Sequence, residues 1–204
     1  GFAIARMLYT KGYDVTIFHQ TEYSKLSKEA DRNLKKAQEI SGISIFDFNE
    51  VAHFKFDSNS VIVDCLFGTG LNRKLEVAVS EIVLFLNQLK FQKVSIDIPS
   101  GMFSDGVSAE KSIIFQADHT LSFQSWKKAF LHPETGVYCG KVHILDIGLS
   151  KEFIKKEKSS EFVIDEEFIK TIYQPRVAFS HKGSFGKCMI VAGSYGKIGA
   201  AVIA

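Results

Sequence analysis

Short β-branched runs alternate with amphipathic stretches along the first two thirds of the chain, and that alternation sets the predicted elements. Phe2 to Tyr9 places apolar groups on more than one helical face (Phe2, Ile4, Ala5, Leu8) and reads as a buried helix closed by Lys11-Gly12. Val15 to Phe18 reads as a strand. Ser24 to Ile40 is rich in Lys and Glu but carries Leu26, Ala30, Leu34, Ala37 and Ile40 at helical spacing. Val61 to Val63 is predicted as a buried strand. Leu75 to Leu89 is predicted as an amphipathic helix on Leu75, Val79, Ile82, Val83 and Leu86, and Val94 to Ile96 as the following strand. Thr120 to Phe123 and Val142 to Leu145 complete the set. Strand and helix alternating from Gly1 to about Phe123 predict an α/β fold with a doubly wound, mostly parallel sheet.

The pattern changes after Gly148. Ser150 to Glu161 is Lys- and Glu-rich and reads as a solvated linker or surface helix. Asp165 to Tyr173 is a short helix with Asp165 as its cap and Pro175 as its stop. Lys187 to Ala192 is predicted as a new strand that runs into a glycine-bearing turn and an Ala-rich helix start. The expected organisation is therefore one domain over 1–150, a linker over 151–161, and the opening of a second α/β domain over 162–204.

Composition narrows the function classes. The 204 residues are 46% hydrophobic, enough for a real core, and the net charge of +2 gives no field that favours nucleic acid or a membrane. No apolar run approaches the roughly 18–20 residues that span a bilayer. Cys65, Cys139 and Cys188 show no CxxC spacing, which suits a reduced, cytoplasmic chain. The six histidines show neither HxH nor HExxH spacing, which disfavours zinc.

Two aspartates carry the chemistry. Asp64 closes the run Val61-Ile62-Val63 and precedes Cys65-Leu66-Phe67-Gly68-Thr69-Gly70. Asp97 closes Val94-Ser95-Ile96 and precedes Ile98-Pro99-Ser100-Gly101. Ligands of open α/β sheets bind beyond the carboxyl ends of the strands, so two acids at two such ends are expected to face one crevice. Aspartate is also common at strand ends simply because it accepts from loop N–H groups. The special backbones that follow shift the balance toward a site: Gly68-Thr69-Gly70 can bring main-chain N–H groups close to an anion, and Pro99-Ser100-Gly101 fixes a tight turn that presents a hydroxyl. A monovalent cation held by Asp64, Ser100 and carbonyls fits these donors better than a divalent one, which usually takes several carboxylates. Trp126-Lys127-Lys128 lies just past a strand end, where its ammonium groups suit either a phosphate or a solvated loop. Gly193, Gly196 and Gly199 follow a strand and precede a helix, but match neither Walker A nor G-x-G-x-x-G spacing.

These residues resemble a known family. Val63-Asp64-Cys65-Leu66-Phe67-Gly68-Thr69-Gly70-Leu71, Asp97-Ile98-Pro99-Ser100-Gly101, Ala117 to Phe123 and Asp146-Ile147-Gly148 are similar to the ordered motifs of NAD(P)H-hydrate epimerase. Ser180-His181-Lys182-Gly183-Ser184-Phe185-Gly186, with Ala192-Gly193-Ser194 and Gly199-Ala200, resembles the start of the ADP-dependent NAD(P)H-hydrate dehydratase, which in many bacteria is fused behind the epimerase. The resemblance implies a Rossmann-like first domain and the start of a ribokinase-like second one. It implies exchange of the R and S hydrates of the nicotinamide cofactors, with dehydration of the S form using ADP (or ATP). It implies a potassium ion with Asp64 and Ser100 among its ligands. Gly68, Thr69, Gly70, Leu71, Asn72, Arg73 and Lys74 would wrap the small-molecule substrate, Asp97 would be catalytic at the damaged ring, and Ala200 would line the dehydratase pocket. No nucleic acid or membrane partner is implied, and a homo-oligomer is compatible with it.

The family's Asn-Asn-Gly-Gly-Asp-Gly motif has only its last glycine here, at Gly1, and the strand before it is not in the sequence. These 204 residues alone are therefore expected to fold poorly and to be inactive. Two other readings are open to these residues. A non-catalytic binding module of the same fold is disfavoured by the joint presence of Asp64, Asp97, Ser100 and the Gly-Thr-Gly turn. A generic dehydrogenase is disfavoured because His19-Gln20-Thr21 places no acid for a ribose after Phe18.

Overall fold

The computed structural model describes residues 1–20, 26–106, 112–159, 161–187 and 189–203. They divide into two units, Gly1–Glu157 and Lys158–Ala204.

The first unit runs α1 (Phe2–Thr10), β1 (Val15–His19), α2 (Lys28–Gln38), β2 (Ile43–Asp47), β3 (Val61–Asp64), α3 (Val77–Gln88), β4 (Gln92–Ile96), β5 (His119–Phe123), α4 (Pro133–Gly136), β6 (Lys141–Leu145) and α5 (Lys151–Lys156). Every strand pairing is parallel. This is the α/β architecture expected, but the backbone hydrogen bonds form two ladders, β1-β2 and β3-β4-β5-β6.

The elements follow local chemistry. Gly12 takes a φ of 89° and ends α1 where the Lys11-Gly12 signal placed the stop. Ser27 caps α2 by accepting from the Ala30 N–H at 3.1 Å; the predicted helix start at Ser24 lies outside the described residues. α1 differs from expectation. None of its residues is buried: Phe2 and Ala5 pack on the Ile17, Ala37 and Ile43 cluster, while Met7 and Tyr9 stay exposed. β2 was not predicted, although Ile43-Ser44-Ile45 has the two-residue period of a strand.

Register sorts the four-stranded sheet into two faces. Ile62, Asp64, Lys93, Ser95, Thr120, Ser122 and Val142 share one of them. On that side α3 supplies Val79, Ile82, Val83 and Leu86 to a core with Phe48, Val51, Phe115 and Ala117. A second cluster of Ile98, Met102, Ile114, Ala129, Phe130 and Cys139 continues it beneath Val142. The opposite face is more open. Val61 is 50% exposed and Val63 38%, so β3 is not the buried strand its composition predicted. It is the terminal strand of its ladder, and its outward valines are only partly covered.

The second unit holds α6 (Glu166–Ile172), whose cap Asp165 accepts from the Phe168 N–H at 2.8 Å, and α7 (Gly199–Ile203). The strand predicted over Lys187 to Ala192 is absent among the described residues there, which leave out Cys188. An isolated bridge joins Ser194 and Lys197 instead. A strand needs a partner to satisfy its backbone, and this unit offers none among the described residues. Phe162, Phe179, Met189, Val191 and Tyr195 are all exposed.

Phe115 is fully buried in the main core, and its N–H donates to the Ser100 carbonyl at 2.9 Å. Phe115→Ala is expected to lower the free energy of unfolding of the first unit by about 3–5 kcal/mol, read by urea denaturation. A loss under about 1 kcal/mol would show that this core does not hold the sheet to the turn at Ser100.

Candidate functional site

The site is built from the carboxyl ends of β3, β4 and β5. Asp64 is the last residue of β3 and is 4% exposed. Its Oδ1 accepts from the Leu66 N–H at 3.2 Å and the Ser100 hydroxyl at 2.5 Å. Its Oδ2 accepts from the Ser100 N–H at 2.8 Å and the Ser95 hydroxyl at 3.1 Å. An ionised carboxylate has about four acceptor positions, so Asp64 is saturated. Burial pushes its carboxyl above the usual range, and the bonds from Ser100, Leu66 and Ser95 only partly offset that.

The Ser100 hydroxyl donates to Asp64 and accepts from the Phe67 N–H at 3.1 Å. Ser100 sits in a turn closed by the Met102 N–H on the Pro99 carbonyl at 3.0 Å. Gly101, at the third position, has a φ of 95°, and a Cβ there would collide with the Ile113 carbonyl oxygen. Only glycine meets both demands, and this turn is what brings Ser100 under Asp64.

Asp97 is in a different setting. The Ile98 N–H donates to the Ile96 carbonyl at 3.0 Å, so Asp97 is the centre of a three-residue turn, with a φ of 70°. Turns of this hand are rare and strained, at roughly 1–3 kcal/mol for such a residue. Gln124 repeats the arrangement at the end of β5, with a φ of 63° and the Ser125 N–H on the Phe123 carbonyl at 2.7 Å. Asp97 Oδ1 lies 3.5 Å from the Phe123 N and 3.6 Å from Lys127 Nζ. Its Oδ2 lies 3.3 Å from where a Cβ on Gly68 would stand. Glycine at 68 therefore leaves the carboxylate room against the Gly-Thr-Gly turn.

That turn is closed by the Leu71 N–H on the Gly68 carbonyl at 3.2 Å. Thr69, Leu71 and Asn72 line a cleft of about 350 Å³, faced by Phe103, Ser104, Asp105 and Gly106. Gly68, Gly70, Asn72, Arg73 and Lys74 are exposed, and Arg73 makes a 3.5 Å ion pair with Glu76. Ala200 lies in α7 of the second unit.

The two acids thus share an edge but not a role. Asp64 is sealed beneath the turn and accepts from loop N–H groups, as the plain strand-end reading had it. Asp97 is the acid that reaches the glycine turn. Two contributors were not foreseen. Ser95 gave no signal beyond its place in the strand. Lys127 stood in the Trp126-Lys127-Lys128 cluster as a phosphate or solvent contact, yet its side chain is 13% exposed and turned onto Asp97.

Known proteins resemble this chain along its whole length. A bifunctional NAD(P)H-hydrate repair enzyme from Vibrio cholerae is 31% identical over 203 residues, which cover 100% of this chain and 40% of the relative. One from Escherichia coli is 29% identical over 200 residues, 98% of this chain and 38% of the relative. An NAD(P)H-hydrate epimerase from Rhodopirellula baltica is 32% identical over 158 residues, 76% of this chain and 64% of the relative. The chain thus spans about two fifths of the length of the bifunctional relatives. The crystal structure of yeast ynu0 superposes with a TM-score of 0.50 at 20% identity, over 62% of this chain and 53% of that one, a likeness of fold. The family described as YjeF-related protein N-terminus matches residues 1–129, more than half of the chain, and the chain belongs to that family.

Proposed function

We propose that the first unit is the epimerising part of a nicotinamide-cofactor repair enzyme, exchanging the R and S hydrates of NADH or NADPH. The observation that carries this reading is the Asp97 carboxylate, set on a strained turn with Oδ2 against the glycine turn. The names of the relatives supply the substrate class.

The hydrate carries a hydroxyl on a ring carbon next to nitrogen. Protonated, that hydroxyl leaves as water, and the ring becomes an iminium-like cation. A carboxylate beside the ring stabilises that cation. When water returns to the other face, Asp97 takes the proton it sheds and passes it to the next departing hydroxyl, so no net proton is consumed. The loop from Gly68 to Lys74 would hold the remainder of the substrate, with backbone N–H groups, Arg73 and Lys74 suited to its phosphates. Residues 162–204 would open an ADP- or ATP-dependent dehydratase domain, with Ala200 in its pocket. Nicotinamide cofactor chemistry and the thiols suit a cytoplasmic setting. No helix among the described residues is long and apolar enough to cross a membrane.

A potassium ion fits the donors at Asp64 and Ser100. The four donors fill the acceptor positions of Asp64, so it offers its buried negative charge at close range, while the open oxygen is the Ser100 hydroxyl, which keeps one acceptor position after its bonds to Asp64 and Phe67. A bound cation would supply positive charge that offsets the buried carboxylate and stiffens the Ser100 turn.

Asp97→Asn keeps the side-chain shape and tolerates positive φ. It is expected to slow R/S exchange by about 10²–10⁴-fold while the circular dichroism spectrum is unchanged. A parental rate would remove Asp97 from the chemistry.

Asp64 yields a prediction on stability. Its carboxyl is raised in the folded state, so its protonation stabilises the fold fully below the ordinary value of 3.8, and that contribution is lost as pH rises through the raised value. The stability of the parent, measured against Asp64→Asn, is expected to fall as pH rises across that window. This slope sits on a pH-independent loss of about 1–3 kcal/mol in the variant, whose amide faces N–H donors. Potassium chloride in place of choline chloride is expected to raise the melting temperature of the parent at neutral pH and not that of the variant. Equal responses would count against a cation at Asp64.

A further inference from the structure

We propose that Lys127 is a positioning residue for Asp97: its ammonium group holds Oδ1 and leaves Oδ2 as the one carboxylate oxygen presented to the glycine turn. The inference rests on the epimerase reading above and adds a residue to it.

Lys127 Nζ donates to the Phe123 carbonyl at 2.8 Å and the Ser125 carbonyl at 3.1 Å, and lies 3.6 Å from Asp97 Oδ1. An ammonium group has three N–H donors. Two are bonded to the carbonyls, and the charge of the group pairs with Asp97 Oδ1 at ion-pair distance, which makes it a holder of Asp97. The Phe123 N–H points at the same Oδ1, so backbone and ammonium converge on one oxygen. The other oxygen faces Gly68. Both partners are largely shielded, at 13% and 17% side-chain exposure, so the pair escapes most of the screening that weakens surface ion pairs.

The second strained turn falls into place with this. At Gln124 the chain doubles back, and the turn brings the carbonyls of Phe123 and Ser125 together as the seat for the ammonium. Gln124 is pinned to the end of β6 by its own N–H on the Leu145 carbonyl at 2.7 Å and by the Ile147 N–H on its side-chain oxygen at 3.2 Å. Two positive-φ residues at neighbouring strand ends thus serve one carboxylate. One aims it, and the other seats the cation that holds it.

The test measures R/S hydrate exchange in the full-length protein that contains these 204 residues, by chromatographic separation of the two forms. Lys127→Met is expected to lower kcat by about 10²-fold, the scale of a misplaced reacting group, with KM within about threefold of the parent. Lys127→Arg is expected to recover most of that loss. Lys127→Gln, whose amide still donates to the two carbonyls, covers the case in which the Met variant fails to fold, and is expected to lose kcat in the same way. The double variant Asp97→Asn with Lys127→Met is expected to be no slower than Asp97→Asn alone, because Lys127 acts through Asp97. Three results would overturn the proposal: parental kcat in Lys127→Gln, no recovery with Arg, or losses at 97 and 127 that multiply. If Asp97→Asn itself exchanges at the parental rate, the epimerase reading of the site fails first, whatever Lys127 does.

Discussion

The Asp64 carboxylate is the knot on which the site depends. Four donors from three segments end on its two oxygens: Leu66 beyond β3, Ser95 within β4, and both the amide and hydroxyl of Ser100. A buried carboxylate is costly, and buried donors without an acceptor are costly too. Here each need answers the other. The position of the Pro99–Met102 turn is settled by that exchange and by the hook from the Phe115 N–H to the Ser100 carbonyl. The parallel pairing of Asp64 with Ser95 brings the two strand ends level, so the residues just beyond them meet.

Beyond that knot the chain spends strain. Parallel strands running straight on would send Asp97 and Gln124 into the loops that follow. The three-residue turns instead fold the backbone back on itself at both places. The result sets the Asp97 carboxylate between the shielded Lys127 ammonium and the glycine turn, with exposed cations at Arg73 and Lys74 farther along that loop. The large core beneath, centred on α3 and Phe115, supplies the rigidity that holds such conformations.

Much of this was legible in the residues. β1, β3, β4, β5 and β6 announce themselves as β-branched runs, and the glycines, prolines and aspartates after β3 and β4 mark the functional edge. β2 was legible in principle, from Ile43 and Ile45 spaced around Ser44 just after the Ser41-Gly42 turn signal. The burial of β3 departs from its sequence because an all-apolar run reads alike in a central and a terminal strand. The division of labour between Asp64 and Asp97 was beyond sequence reading, since it depends on which acid the Ser100 turn covers. Lys127 was hidden for the same reason: its direction is set by a positive φ at Gln124, and glutamine carries no signal for that conformation. The cross-strand contact of His119 Nδ1 with His143 Nε2 at 3.1 Å is likewise a product of register, invisible to spacing along the chain.

Position 97 is where durability and chemistry part company. Glycine would adopt the backbone there without penalty, relieving the turn while deleting the carboxylate. A search for hardier variants of this protein would be drawn to that exchange and would trade the carboxylate for a relaxed backbone. An acid is thus kept in a conformation that suits it poorly, inscribed in a single torsion angle.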